Sequence, residues 1–341
     1  MTGFGYSVLG FGSHPTRGPN DNLFNLASVK AIHETSGTDG VGRNFHAGGD
    51  DGANSGWMTG MQVIGSNMYI SNRGNNNDWD SPNVYISRLA VTSTDGQITR
   101  RTGAIGLNST DGFALSADGT KLILTDFHGG GLRSATIADD GSDSELMNVT
   151  LTGSAVTSQA GLRFARWNND GSKYYAGYGL GNGSSRILQW TAATNYIVAS
   201  GDSTEASQDL AIEAASDLIF NSDGTKMYLS RNTGYIYEYS LSSAYDTSSE
   251  TLVTTFDVRD FFGSDSSASV SPWRASNSDS SNPWIVGISW NDDGSKLYAV
   301  TLWGTTLAAK VSNTVNPSSV TGEGSPPSRT NTFPVIEFSV Q

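Results

Sequence analysis

The sequence predicts an all-β fold of repeated four-stranded modules, and three observations predict it. A short turn motif recurs at near-constant spacing, Gly supplies 40 of the 341 residues, and short apolar runs alternate with stretches rich in Ser, Thr, Asn and Asp. Many short strands joined by turns have this balance, because Gly, Asn, Asp and Ser provide the backbone conformations and local hydrogen bonds that turns need.

The motif reads Asp118-Gly119-Thr120-Lys121, Asp170-Gly171-Ser172-Lys173, Asp223-Gly224-Thr225-Lys226 and Asp293-Gly294-Ser295-Lys296. A degenerate copy, Gly65-Ser66-Asn67, keeps the Met68-Tyr69-Ile70 that follows but lacks the Asp. Successive glycines lie 54, 52, 53 and 70 residues apart, so the period is near 53 with one insertion. Asp-Gly between alternating apolar residues is the strongest short-range signal for a tight turn between antiparallel strands, so these Asp residues are read as turn formers rather than acids or metal ligands. Met61, Leu115, Trp167, Phe220 and Trp290 are read as one equivalent large-apolar position before the turn. A strand follows each turn, and residues 83–89, 186–192 and 235–241 read as a third strand.

A fourth strand is expected at Val253-Thr254-Thr255-Phe256-Asp257-Val258, read as leading the last module. The chain ends on the same V-x-x-F-x-V pattern, Val335 to Val340, with no module after it, whereas the first module (57–91) begins without such a strand. The expectation is that the C-terminal strand completes the N-terminal module and closes a ring, since radial repetition leaves only short protected edges. This predicts an all-β fold, a β-propeller of four-stranded blades over residues 50–341, with five blades preferred and six as the alternative. Residues 1–49 form a Gly-rich N-terminal arm in this reading. An open solenoid of the same repeat is the competing architecture.

A net charge of −13 with 20 Lys plus Arg argues against nucleic acid, because affinity for phosphates comes from clustered cations. An anionic membrane surface is disfavoured for the same reason. No run of 18 apolar residues predicts a spanning helix. The opening MTGFGYSVLGFGSHP lacks the basic segment and unbroken apolar core of an export signal. With no cysteine, disulfides, thiolate metal sites and thiol catalysis are excluded together.

The pattern apolar-x-F-x-x-D-G-T-K-M-Y, followed by a strand such as YEYSLSSAYDTSS, resembles the propeller repeats of the YVTN and lactonase-like group. It is closer still to propeller-containing virion proteins of marine tailed phages, over about residues 57–312. GYSVLGFGS resembles the Gly-rich segments by which some phage structural proteins join the particle. The resemblance implies a virion protein, released by lysis, with its arm on other virion proteins and an oligomeric state imposed by the particle. It carries no catalytic residue over, because no position here matches the acidic, Asn or His groups of lactonase-like enzymes.

The chain holds no G-x-S-x-G, H-E-x-x-H or G-x-x-x-x-G-K-[ST] motif. Gly177 to Gly183 misses the dinucleotide spacing and lies between strands, so it reads as a loop. The four histidines, His14, His33, His46 and His128, are dispersed. Oxygen-rich runs at 75–80 and 139–143 lack the Gly and Glu positions of a calcium loop. No cofactor or metal is therefore expected.

Turns in a meander alternate between the two ends of a sheet, so the loops opposite the Asp-Gly hairpins share one face. That face is expected to carry Asp78, Trp79, Asp80, Phe127, His128 and Trp303. It also takes Trp273, Arg274 and Trp284 from the insertion at about 259–286. Trp stacks on the C–H face of a sugar while carboxylates, amides and Arg take its hydroxyls, so these residues are candidate ligands for a surface polysaccharide. The same aromatics equally fit loops pinned on the propeller, or a face docked on a neighbouring virion protein. A non-enzymatic adhesion protein is the preferred function, with a lactonase-like hydrolase using a central polar site as the alternative.

Overall fold

The structure, a computed structural model, describes residues 26–32, 58–73, 83–92, 98–102, 105–107, 110–126, 131–139, 146–152, 159–180, 183–258, 285–305 and 333–340. These residues form an all-β fold. β1 (Leu26–Ile32) precedes a first meander of β2 (Met58–Ile64), β3 (Asn67–Arg73), β4 (Asn83–Ala90) and β5 (Ile98–Thr102). A two-residue β6 (Ile105–Gly106) also pairs with β4. The second meander is β7 (Phe113–Leu115), β8 (Lys121–Thr125), β9 (Leu132–Ala138) and β10 (Leu146–Leu151). A short parallel pairing, Leu146 with Arg101 and Met147 with Thr102, joins it to the first.

The third sheet is β11 (Phe164–Trp167), β12 (Lys173–Gly179), β13 (Ser185–Thr191) and β14 (Ser203–Leu210). The fourth is β15 (Ala215–Phe220), β16 (Lys226–Arg231), β17 (Tyr235–Leu241) and β18 (Glu250–Asp257). The last runs β19 (Ile285–Trp290), β20 (Lys296–Thr305), β21 (Phe333–Val340) and then β1. Each group is a four-stranded antiparallel sheet, the blade unit of β-propellers, and all but the last are meanders of consecutive strands.

Three expectations give way here. Residues 253–258 do not lead the last module: they belong to β18 and its end, the outermost strand of the fourth sheet, paired along β17 from Tyr235–Asp257 to Leu241–Glu250. The C-terminal strand does not complete the first sheet either. β21 is the third strand of the last sheet, between β20 and β1, in the register Val29–Phe338 and Ile32–Val335. Its missing neighbour comes from within residues 1–49, so the segment expected to be an arm without a repeat strand supplies one. The V-x-x-F-x-V likeness misled because the two segments share spelling but not environment: Val253 is exposed in β18, whereas Val335 is buried in β21.

The third correction concerns Met61. Val63 pairs with Met68 as Leu115 does with Leu122, Trp167 with Tyr174, Phe220 with Met227 and Trp290 with Leu297. Val63 therefore holds the large-apolar position, because the Gly65-Ser66 turn is shorter than its Asp-Gly counterparts.

In those counterparts the Asp acts as a turn former. Asp223 Oδ1 accepts from Thr225 N at 2.9 Å, while Asn221 Oδ1 accepts from Lys226 N at 2.9 Å, and the pattern repeats at Asp118, Asp170 and Asp293. Hydrogen bonds from Ser116 and Ser172 hold the Asp118 and Asp170 carboxyls below the usual carboxylate range. Gly224 has φ of 72° and a Cβ there would lie 2.4 Å from the Tyr245 ring, so both backbone and space demand glycine.

The motif's Lys also acquires a reason. Lys226 Nζ reaches the buried Glu238 Oε1 at 2.9 Å, and Lys296 Nζ reaches Glu337 Oε1 at 3.0 Å, where Tyr298 also donates to Oε2 at 2.8 Å. Buried carboxylates without such partners would be costly. Lys173 pairs instead with Glu205 on β14, which also accepts from Thr191 and Gln189. Burial pushes Glu205 up, but these hydrogen bonds outweigh it and hold the group at about 2 against an ordinary 4.5.

Apolar side chains collect between sheets. Phe113, Leu122 and Met147 meet Val84, Ile86 and Ile105. Trp167, Tyr174 and Trp190 meet Ala114, Ile123 and Leu132. Phe164, Tyr175 and Ile187 meet Leu218, Met227 and Leu229. Tyr228, Ile236 and Phe256 meet Ile288, Leu297 and Phe338. Tyr298, Val300 and Val335 meet Met58, Met61 and Met68.

Removing residues 1–32 strips β1 from β21, whose Val335, Ile336 and Phe338 are buried. The thermal midpoint should fall by about 5–10 °C, corresponding to a few kcal/mol. Truncation at residue 25, which retains β1, is the control; equal midpoints for the two truncations would show that β1 stabilises nothing.

The low folded-state pKa of Glu205 stabilises the fold above the ordinary 4.5, and that contribution is lost as pH falls through about 2. Urea midpoints measured from pH 5 to pH 2 should therefore decline less steeply for Glu205→Gln than for the wild type. Parallel curves would show that the Lys173–Glu205 cluster is not coupled to folding.

Candidate functional site

β2, β7, β11, β15 and β19 each form one edge of their sheets, so one side of each backbone has no ladder partner. Pairing with the second strands sets Met61, Phe113, Ala165, Leu218 and Ile288 at one level, opposite Ile70, Leu124, Ala176, Leu229 and Ala299. Arg166 stands one residue beyond that level, and its guanidinium takes the carbonyls of the other four strands. Nε donates to Leu218 O at 2.9 Å, Nη1 to Phe113 O at 3.3 Å, and Nη2 to Met61 O at 2.7 Å and Ile288 O at 3.1 Å. Nε also donates to Asp217 Oδ1 at 2.9 Å, and Nη2 is paired with Oδ2.

Asp217 in turn accepts from the backbone N–H groups of Leu218 and Ile288, both at 2.8 Å. Arg166 and Asp217 are 5% and 2% exposed, so neither charge is met by water and each depends on the other. Burial pushes the Asp217 carboxyl up, against the guanidinium and the two N–H groups that favour its anion.

Neighbouring positions complete this edge. Gln62, level with Arg166, accepts from Leu115 N at 2.7 Å and donates to Leu115 O at 3.0 Å; Ser289 Oγ accepts from Val63 N at 2.9 Å. Glycine allows the close approach: a Cβ on Gly287 would lie 2.6 Å from Met61 N, and one on Gly112 would lie 2.4 Å from Phe164 Cα. The arrangement satisfies backbone that the sheets leave unpaired. Among the described residues no group of three His, Asp or Glu converges as a metal site would require.

Of the residues singled out in the sequence, Asp78, Trp79, Asp80, Phe127, His128, Trp273, Arg274 and Trp284 lie outside the described residues. Trp303 is in β20, where the backbone alone is described. The insertion joins β18 to β19, an outermost strand to the next innermost one, instead of two strands within a sheet. By alternation of strand direction, the described strand ends flanking 74–82, 127–130, 259–284 and 306–332 all lie opposite the Asp-Gly turns. Trp167 is buried, 5.5 Å from the Tyr174 ring, whereas Trp290 is half-buried and edge-on to Tyr228 at 5.3 Å.

The Arg166–Asp217 pair went unread in the sequence, although a signal was there. Arg166 interrupts Phe-Ala-Arg-Trp at a position that other copies fill with Ala114 or Ile219, and Asp217 opens an otherwise apolar Asp-Leu-Ile-Phe.

No family model matches the chain, and no curated protein matches it in sequence. Among solved structures it is similar to a chain of the nidogen–laminin complex, at 13% identity and a TM-score of 0.43, over 83% of this chain and 85% of that one. A protein from Lactobacillus plantarum is similar at 16% identity and a TM-score of 0.40, over 73% and 65%. A chain of the mitotic checkpoint complex follows at 11% and 0.36, over 82% and 62%. At scores this low the likenesses carry no argument about function.

Arg166→Ala should destabilise the protein by about 3–5 kcal/mol, because it strands a buried carboxylate. Arg166→Met combined with Asp217→Leu removes both charges yet leaves four carbonyls unpaired, so urea titration should find it still less stable than the wild type. A double variant as stable as the wild type would show that those carbonyl bonds contribute nothing.

Proposed function

We propose that the five sheets are the blades of a closed five-bladed β-propeller, latched by β1 as the outer strand of the last blade, and that it binds without chemistry. Support for closure comes from the apolar clusters, through which each sheet shares a core with two others, the last sheet with the first included. The observation that carries the functional reading is the Arg166 guanidinium: one side chain bonded to equivalent carbonyls of four other strands occupies the axis. A hydrolase with a central polar site needs room there for its substrate. Binding then falls to the loop-bearing end opposite the Asp-Gly turns, with Asp78, Trp79, Asp80, Phe127, His128, Trp273, Arg274, Trp284 and Trp303 as its residues. Their composition suits a surface polysaccharide.

The likeness of the repeats to phage virion propellers extends the proposal to a particle-borne adhesion protein. In it the residues ahead of β1 face neighbouring virion proteins and lysis releases the assembled particle.

Replacing Trp79, Trp273 and Trp303 singly by Ala should weaken binding to isolated host polysaccharide or to a partner virion protein by about 1–3 kcal/mol for a true anchor. Trp167→Ala should instead cost roughly 3–5 kcal/mol of stability through a core cavity. Melting and binding of all four variants, with an ester, lactone and glycan turnover screen, test the reading. Rim variants that unfold while the survivors bind normally would sink it, as would turnover that disappears on changing axial acids.

A further inference from the structure

The Arg166 guanidinium is a bound group as well as a structural one. Six acceptor atoms surround it: both oxygens of Asp217 and the carbonyls of Met61, Phe113, Leu218 and Ile288. Four of the six come from backbone whose position is set by four different sheets, so they do not depend on Arg166 for their individual strand pairing. The fifth and sixth are held by the backbone N–H groups of Leu218 and Ile288, which orient the carboxylate independently of the arginine. A planar cation with N–H donors in a fixed fork matches this set. A compact ammonium, with three donors, could not reach all six acceptors from one point, and a neutral molecule of the same shape would leave the buried Asp217 charge unmatched.

We propose that the carbonyls and Asp217 form a receptor for a guanidinium group. The chain fills it with its own Arg166, and an external guanidinium or alkylguanidinium fills it when that side chain is removed. The inference does not depend on what the loop-bearing end binds. It predicts a reversal of sign, because guanidinium destabilises a folded protein by solvating exposed groups but stabilises one that offers it a site absent from the unfolded chain.

The test is the thermal midpoint of full-length Arg166→Ala against sub-denaturing guanidinium chloride, with sodium chloride and urea at matched concentration. Methylguanidinium serves as the closer mimic of the missing side chain. The wild-type midpoint should fall with guanidinium, whereas that of Arg166→Ala should first rise by several degrees and saturate, and more so with methylguanidinium. Adding Asp217→Asn should abolish the rise. Should Arg166→Ala not fold alone, refolding it from urea with methylguanidinium present should restore its melting transition. A midpoint that falls in parallel with the wild type overturns the proposal. So does an equal rise with urea or sodium chloride, or a refolding that methylguanidinium does not rescue.

Discussion

Five edge strands brought together at their unladdered sides create a problem that hydrophobic packing cannot solve, because each brings carbonyl and N–H groups that water no longer reaches. Arg166 answers it for four carbonyls at once. The guanidinium must be charged to be worth burying, the charge requires Asp217, and the carboxylate is steadied by two more backbone N–H groups. Gln62 and Ser289 extend the same device to Leu115 and Val63. The Arg166–Asp217 cluster is polar, whereas each apolar cluster draws on the residues of two sheets.

This order explains where small residues occur. Gly60, Gly112 and Gly287 share the level of Asp217 on their own strands, opposite Ser71, Thr125 and Val300. At Gly112 and Gly287 a Cβ would meet neighbouring backbone within 2.4 and 2.6 Å. Larger side chains there would hold the strands apart and lengthen every bond to Arg166. One polar side chain and a tier of near-bare backbone are two halves of one solution.

Much of this was legible in the sequence. The Asp-Gly period gave the module, the turn role of Asp118, Asp170, Asp223 and Asp293, and a core place for Trp167, because turn chemistry and large apolar residues act locally. What was not legible depends on partners distant in the chain. The likeness of Val253–Val258 to Val335–Val340 is one of spelling alone, since Val253 is exposed and Val335 buried, and it says nothing about which sheet a strand joins. Strand β1 carries no turn motif, so only its pairing with β21 reveals it. Arg166 and Asp217 are 51 residues apart, nearly one period, and a charge in an apolar strand reads as an anomaly until its partner is found.

The same construction bears on how the loop-bearing end could diversify. The apolar clusters draw largely on strand residues, and the long segment 259–284 is flanked by Val258 and Ile285, both fully buried. Those anchors fix the two ends of the connection between β18 and β19. The entropy of closing a loop rises only with the logarithm of its length, so residues added between fixed anchors cost little. A fold whose centre is fixed by one ion pair and whose sheets are fixed by pairwise cores leaves its strand connections free to differ from module to module. The 70-residue interval, set against near 53 elsewhere, is where this chain has used that freedom most.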